Sequence, residues 1–459
     1  MSNTEYARGA SSTQSDVIVI GAGLSGLHAA SLLKTAGHSV RVLEARDRIG
    51  GRVHSVPIAP GIAADLGAQW IADRQTRMMT LAREHNIAFH PTYDRGAMLS
   101  VQGKQIKRVD HNHIPLGIVA KLDSYRILSR LEQISEEAMG AEAEKYDALS
   151  LQHFLEDVAW RKRAGNFIGG QLASSLCMAV DKVSVAEVVR QIATMGGIDA
   201  VFEADQYIVT GGSSQFAAVL SAGLDGDIVL NEPVYAIDQS ATEVTVHTKH
   251  NTYHATSVIL AVPPQLIVAI DFKPALPEAR LSVLNQFIQG KVIKTLAIYD
   301  TAWWRSKGLS GTVSDQSGMF PFVVDNGASV TDVGMLATLS TADARDRVVE
   351  QATGSPGEAF ASYAQRVIDK EAPAPIETLS LDWNAEPWSQ GGYASRRSLG
   401  GWTTVPDLFS PFGKVFFAGT ETADEWRSYM EGALQAAERA VAEVNAAGVA
   451  SRTAVLQPA

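Results

Sequence analysis

A single cysteine, Cys177, stands in 459 residues, so no internal disulfide can form and a reducing, cytoplasmic setting is expected. Basic charge is also short: 39 Lys and Arg against 50 Asp and Glu leave a net charge of -11. A nucleic-acid partner, which needs a basic face, is excluded on that balance. No apolar run approaches the ~20 residues that cross a bilayer. The polar leader before Asp16 lacks the apolar centre of a signal peptide. Residues 1–13 and 448–459 read as flexible tails, and a soluble protein without a membrane partner is expected. Clustered metal ligands are missing too: Asp110-His111-Asn112-His113 has no companion ligands, so no metal site is expected. No internal repeat, low-complexity linker or Ser/His/Asp arrangement is recognisable.

What the chain does have is a globular composition, 46% hydrophobic and 19% charged. Its length suits two or three domains of ~100–200 residues each. Asp16 to Ile20 reads as a buried parallel strand. Gly21-Ala22-Gly23-Leu24-Ser25-Gly26 follows, then an Ala- and Leu-rich helix to Ala36, stopped by Gly37. Val40 to Leu43 is a second strand with Glu44 at its end, completing a βαβ unit. Helix and loop patterns dominate from about Arg77 to Met195. Strands return through Val244–Thr248 and Val258–Ala261, and again across 291–299. The last block is a strand, Val415 to Ala418, then Gly419 and a helix to about Ala447. That helix aligns Met430, Ala433, Leu434, Ala437, Val441 and Val444 on one face.

The glycine motif serves a dinucleotide. Gly21 permits the tight turn, Gly23 lets the backbone approach a pyrophosphate, and Gly26 allows close helix–strand packing. Unpaired amides at the helix N-terminus face the phosphates. Glu44 stands about 20 residues on, where a carboxylate binds ribose hydroxyls and repels the extra phosphate of NADP. Lys294 draws attention for another reason. Alternation along 291–299 puts it on the face of Val292, Leu296 and Ile298, and a lysine on an apolar strand face is costly without a purpose. The bland alternative is a lysine snorkelling out at a sheet edge.

Three further stretches carry a resemblance. Glu44-Ala45-Arg46-Asp47-Arg48-Ile49-Gly50-Gly51-Arg52 holds a second glycine pair and an arginine, and Asp65-Leu66-Gly67-Ala68-Gln69-Trp70 follows. Near the end come Phe417-Ala418-Gly419-Thr420-Glu421-Thr422, Trp426 and Ser428-Tyr429-Met430-Glu431-Gly432-Ala433. Together they resemble the flavin monoamine oxidases of the FAD-dependent amine oxidase superfamily, and the resemblance runs from Asp16 to Ala447. Gly211-Gly212-Ser213, Ala261-Val262-Pro263-Pro264 and Trp303-Trp304-Arg305 match as well.

The resemblance implies an α/β fold. A discontinuous Rossmann-like FAD-binding domain would take residues 14–89, 205–282 and 387–447. A substrate domain of mixed sheet plus helices would take 90–204 and 283–386. It implies FAD contacts from Gly21, Gly23, Ser25, Gly26, Glu44, Ala45, Arg46, Gly51, Arg52, Gly67, Ala68, Gln69, Trp70, Val234, Trp383, Gly419, Thr420, Glu421, Tyr429 and Met430. Arg52 would neutralise the pyrophosphate. Lys294 matches the family lysine that holds a water at flavin N5. Tyr393 and Tyr429 match the pair of rings that orients the amine, with Leu176 and Thr194 lining the pocket.

Gly392 stands where mammalian relatives carry a flavin-linked cysteine, so non-covalent FAD is expected. The implied reaction takes an amine to an imine, which hydrolyses to a carbonyl, and reduces oxygen to hydrogen peroxide. Small amines and oxygen are the expected partners, and a homodimer is compatible with the resemblance. The rivals are an L-amino-acid oxidase, a dehydrogenase using another acceptor, and a silent flavin-binding scaffold. The first would need an arginine for the substrate carboxylate, and Arg396 and Arg397 leave that open.

Overall fold

The computed structural model describes residues 13–110, 116–327 and 332–455. His111 and His113 lie outside them. Five parallel strands form the heart of the first sheet: Ile228–Val229, Val40–Leu43, Gln14–Ile20, Thr252–Leu260 and Val415–Phe417. Val17–Ile20, Val40–Leu43, Val258–Leu260 and Val415–Phe417 are buried throughout, as expected of strands covered on both faces. Three segments distant in sequence thus pair in one sheet. Val234–Gln239 and Val244–Thr248 extend it by antiparallel pairing.

The parallel strands all end at one edge, which gathers Gly21, Glu44, Ala261 and Gly419 in the crevice where this architecture binds ligands. The helix Leu24–Thr35 packs over the sheet against the last helix, Met430–Val455. Met430, Leu434, Ala437, Val441 and Val444 are buried in that shared core, with Ala433 packed at its margin. The last helix runs on to Val455, past the expected end near Ala447 and into the stretch read as a flexible tail.

A second sheet of seven strands joins Ala97–Gln102 and Gln105–Asp110 to five strands between Val292 and Asp382. The two early strands correct the reading of 77–195 as helix and loop. Ala97–Gln102 pairs in parallel with Leu309–Ser314, so its support comes from far along the chain. The strand Val292–Tyr299, which lies between Glu377–Asp382 and Gly334–Thr341, is buried at every residue. Helices between Ile118 and Phe202 build a separate core around Ile127, Leu131, Phe154, Leu172 and Val189.

Candidate active site

One cavity of about 1140 Å³ is lined by the strand-end edge of the first sheet, by the second sheet and by the helical cluster. At its first end the glycine motif turns as its residue types require. Gly21 has a φ of +102°, and a Cβ on Gly26 would meet the Gly21 carbonyl oxygen at 1.9 Å. Gly23 caps the helix without any side-chain acceptor, which leaves the first-turn amides open to the cavity.

Glu44 is buried, and both its oxygens accept from backbone amides: Ala22 N at 2.7 Å and Arg46 N at 2.9 Å. The carboxylate is thereby aimed, with lone pairs to spare for hydroxyl donors. The Gly419 amide donates to Ser25 Oγ at 2.9 Å, pinning the last segment to the first helix. Gly21, Gly23, Ser25, Glu44, Ala45, Arg46, Gly51, Arg52, Val234, Gly419, Thr420 and Met430 all line this part of the cavity. Open helix amides and an oriented carboxylate suit a dinucleotide. Trp70 lines the cavity too, and its indole N–H is buried without a partner.

Arg52 is tied to the protein on two sides. Its guanidinium forks onto Glu421, with nitrogen–oxygen distances of 2.6 and 3.0 Å, and donates to the Tyr393 carbonyl at 2.7 Å. It is engaged in joining the first and last segments rather than held open for a phosphate. Glu421 and Gly26 lie behind the lining, and Arg46 is held by Ser389 and Glu386.

At the second end, Lys294 is fully buried and donates from Nζ to the Gly67 carbonyl at 2.9 Å and to Gln69 Oε1. Its ammonium position lies 5.6 Å from the Trp70 ring centre. Burial lowers its pKa to about 7, against the opposing pull of Asp65. Asp65, itself buried, is pushed up by desolvation and held by Ser55 and Ser213. Both members of the pair are driven toward their neutral forms. Trp383 walls the site, its indole fixed on the Leu66 carbonyl at 2.9 Å.

Tyr393 and Tyr429 both line the cavity. Tyr393 keeps 36% of its surface accessible, but that surface opens onto the cavity; protein surrounds the phenol, and burial pushes its pKa well above the ordinary value. Burial likewise raises Tyr429 to about 12. Tyr429 stands edge-on to Trp426 with ring centres 5.3 Å apart, and Thr420 Oγ1 holds its carbonyl at 2.8 Å. Both phenols stay neutral across the physiological range.

Leu176 and Thr194 do not line the cavity. Leu176 turns inward to the helical core, and the Thr194 hydroxyl is tied to the Arg190 carbonyl at 2.7 Å within its own helix. Asn166, Ser175, Asp205, Phe322, Leu339 and Thr341 take their place. Leu339 pairs directly with Lys294 across the sheet, a register that the structure alone shows. Asp205 carried no signal in one sequence.

Arg396 and Arg397 are also outside the cavity. Arg396 is buried on Glu187 at 2.7 Å, and Arg397 donates to the carbonyls of Gly401 and Val405 at 3.0 Å each. Against the upward push of burial, Arg396 and Arg427 hold Glu187 below the usual carboxylate range. Neither arginine is placed to receive a substrate carboxylate.

The profile of the family described as flavin containing amine oxidoreductase matches residues 24–445. The chain belongs to that family. This amine oxidase is 32% identical, over 94% of its length and 96% of the relative's, to a Mycobacterium tuberculosis protein provisionally named a flavin-containing monoamine oxidase. It is 29% identical to mouse flavin-containing amine oxidase B, across 97% of this chain and 89% of that one. Among solved structures, putrescine oxidase with bound putrescine superposes with a TM-score of 0.89 at 28% identity, covering 94% and 99% of the two chains. Cyclohexylamine oxidase from Brevibacterium oxydans shares the fold, with a TM-score of 0.87 over 94% and 98% of the two chains at 24% identity.

The amine oxidase therefore has the expected α/β fold with a Rossmann-like FAD-binding region, and FAD is its cofactor. Its one thiol, Cys177, is fully buried, contacts the Ser174 carbonyl and does not line the cavity, so it is not placed for a thioether to the flavin. Among the described residues no helix is long and apolar enough to cross a membrane.

Proposed function

We propose that the protein is an oxidase of small amines, taking an amine to the imine and passing the electrons to oxygen to form hydrogen peroxide. The imine then hydrolyses to an aldehyde or ketone plus ammonia or an amine. The observation that carries this reading is the junction of Lys294, Tyr393, Tyr429 and Trp383 with the dinucleotide-binding edge in one cavity. Bound FAD supplies the chemistry, accepting two electrons from the substrate and delivering them to oxygen.

The open amides after Gly23 would take the pyrophosphate and Glu44 the ribose. Gly67 to Trp70 and Trp383 would frame the ring, while Thr420, Tyr429 and Met430 would close its far side. Arg52, by holding the Tyr393 carbonyl, acts as a positioning residue for the substrate rings. The two neutral phenols offer electron-rich faces to an amine without donating charge. Lys294, its pKa lowered by burial to about 7, can stand in the cavity as an ammonium that donates or as a neutral amine whose lone pair accepts, and we assign it to the reaction of reduced flavin with oxygen. The burial of Arg396 and Arg397 weighs against the amino-acid oxidase alternative. The division into FAD-binding and substrate domains at the expected boundaries belongs to the same proposal, supported by the separation of the two sheets.

A screen of primary, secondary, aromatic and polyamine substrates tests it. Flavin bleaching under anaerobic conditions, then peroxide on admitting air, is the expected result. Bleaching without peroxide would mark a dehydrogenase, and no bleaching by any amine would reject the reading.

A further inference from the structure

We infer that Asn326 and Gln69 are positioning residues for Lys294, fixing which side of its nitrogen meets the cavity, an inference that rests on the assignment of Lys294 to the oxygen half-reaction. The three side chains form one directed chain of hydrogen bonds. Lys294 Nζ donates to Gln69 Oε1, and Gln69 Nε2 in turn donates to Asn326 Oδ1. All three residues are buried, so bulk water would not replace a lost partner. Lys294 and Gln69 line the cavity, and Asn326 does not.

The backbone that carries Asn326 is firmly held. Its amide donates to the Met335 carbonyl at 2.7 Å, beside the pairing of Phe322–Asp325 with Gly334–Thr341. The neighbouring Asp325 carboxylate accepts from Arg305 at 2.7 and 2.8 Å and from the Trp304 indole at 2.8 Å. That carboxylate is committed to Arg305, and Asp65 is the one that acts on Lys294. An acceptor at Asn326 Oδ1 calls for the NH2 of Gln69, which leaves the oxygen of the same amide for Lys294. With the Gly67 carbonyl, that oxygen takes two of the three donor positions on Nζ, and among the described residues no third acceptor meets it. The remaining position belongs to the cavity, as an N–H on the ammonium or a lone pair on the neutral amine. A reversed Gln69 amide would oppose the ammonium and claim that lone pair for itself.

The test uses FAD-loaded Asn326→Leu, Asn326→Asp and Gln69→Met, each with Lys294 and with Lys294→Met. The leucine and methionine remove an acceptor, while the aspartate keeps one. The first readout is thermal stability against pH, taken as the difference between each variant and its Lys294→Met counterpart. The rise that begins at the folded pKa of Lys294 should start about one pH unit lower in Asn326→Leu and Gln69→Met, because the ammonium has lost an acceptor. Asn326→Asp should not move the onset to lower pH. The second readout is reoxidation of the reduced flavin by oxygen. It should slow about tenfold in Asn326→Leu and Gln69→Met, stay within about threefold of wild type in Asn326→Asp, and leave anaerobic reduction within about twofold. With Lys294→Met in place, neither acceptor loss should slow it further. If Asn326→Leu loses its FAD, Gln69→Met carries both readouts. An unmoved onset, or equal slowing with and without Lys294, overturns the positioning role. An onset that moves as expected while Lys294→Met reoxidises at the wild-type rate upholds the positioning and overturns the oxygen assignment.

Discussion

The two ends of the cavity are built by different means. The cofactor end is made of short local motifs: a turn, a helix start, a strand-end carboxylate and a glycine at a fourth strand end. Each has a backbone reason for its residue types, visible within a few positions. The substrate end is assembled from side chains on the second sheet, the helix Lys162–Leu176 and the segment before Tyr207, which meet only after folding. The first end tolerates little change because its tightest contacts are backbone on backbone. The second can vary because its contacts end in side chains that move.

The largest effect expected from that contrast is at Gly26. Any Cβ there meets the Gly21 carbonyl at 1.9 Å, and neither backbone can give way without opening the turn. Gly26→Val should purify without FAD or not fold at all, measured as absorbance at 450 nm against 280 nm. A yellow, active Gly26→Val protein would break the comparison at its firmest point.

Next in size is Tyr429. Tyr429→Ala should lower the efficiency of flavin reduction by roughly tenfold, equivalent to about 1.4 kcal/mol, while the flavin spectrum persists. Tyr429→Phe should be mild. Equal rates for alanine and wild type in anaerobic stopped flow would remove the tyrosine from the substrate path.

The pH dependence of stability gives a subtler contrast. Burial lowers the pKa of Lys294 from 10.5 to about 7. Below the lower value both folded and unfolded chains hold the proton, so the cost of burying the ammonium is fully present. Between the two values only the unfolded chain holds it, so stability rises with pH. Wild type should therefore gain stability relative to Lys294→Met across that window and run parallel to it below pH ~7. Melting curves that stay parallel through the window would mean the ammonium is fully compensated.

The smallest effect belongs to the substrate end. A Cβ on Gly170 meets only the far end of the Gln316 side chain, at 3.1 Å. Moving that amide costs little, and alanine favours the helix, so Gly170→Ala should lie within about 1 kcal/mol of wild type and retain its FAD. A shift in substrate preference with unchanged FAD content would sharpen the division; loss of FAD would blur it.

The same contrast explains what could be read from the sequence. The βαβ unit, Glu44, the Lys294 strand and the apolar face of the last helix follow from period and spacing. Tyr393, Trp383 and the last flavin segment came through resemblance. Leu176 and Thr194 failed because a helix presents different faces to core and cavity, and one residue of rotation exchanges them. The bond of Arg52 to Glu421 spans 369 positions, and no local pattern announces a pairing of that length. The strands Ala97–Gln102 and Gln105–Asp110 were missed because they join a sheet formed mostly after residue 292.

The proposal to be tested first is that Lys294 serves the oxygen half of an amine oxidase cycle at this cavity. The direct measurement separates the two half-reactions of wild type and Lys294→Met by stopped flow. Reduction by the best amine under anaerobic conditions should change little, while reoxidation of the reduced flavin by oxygen should slow by about a hundredfold or more, the loss of roughly 3 kcal/mol of stabilisation at a charge-developing step. Equal slowing of both half-reactions, or none of either, would contradict the account.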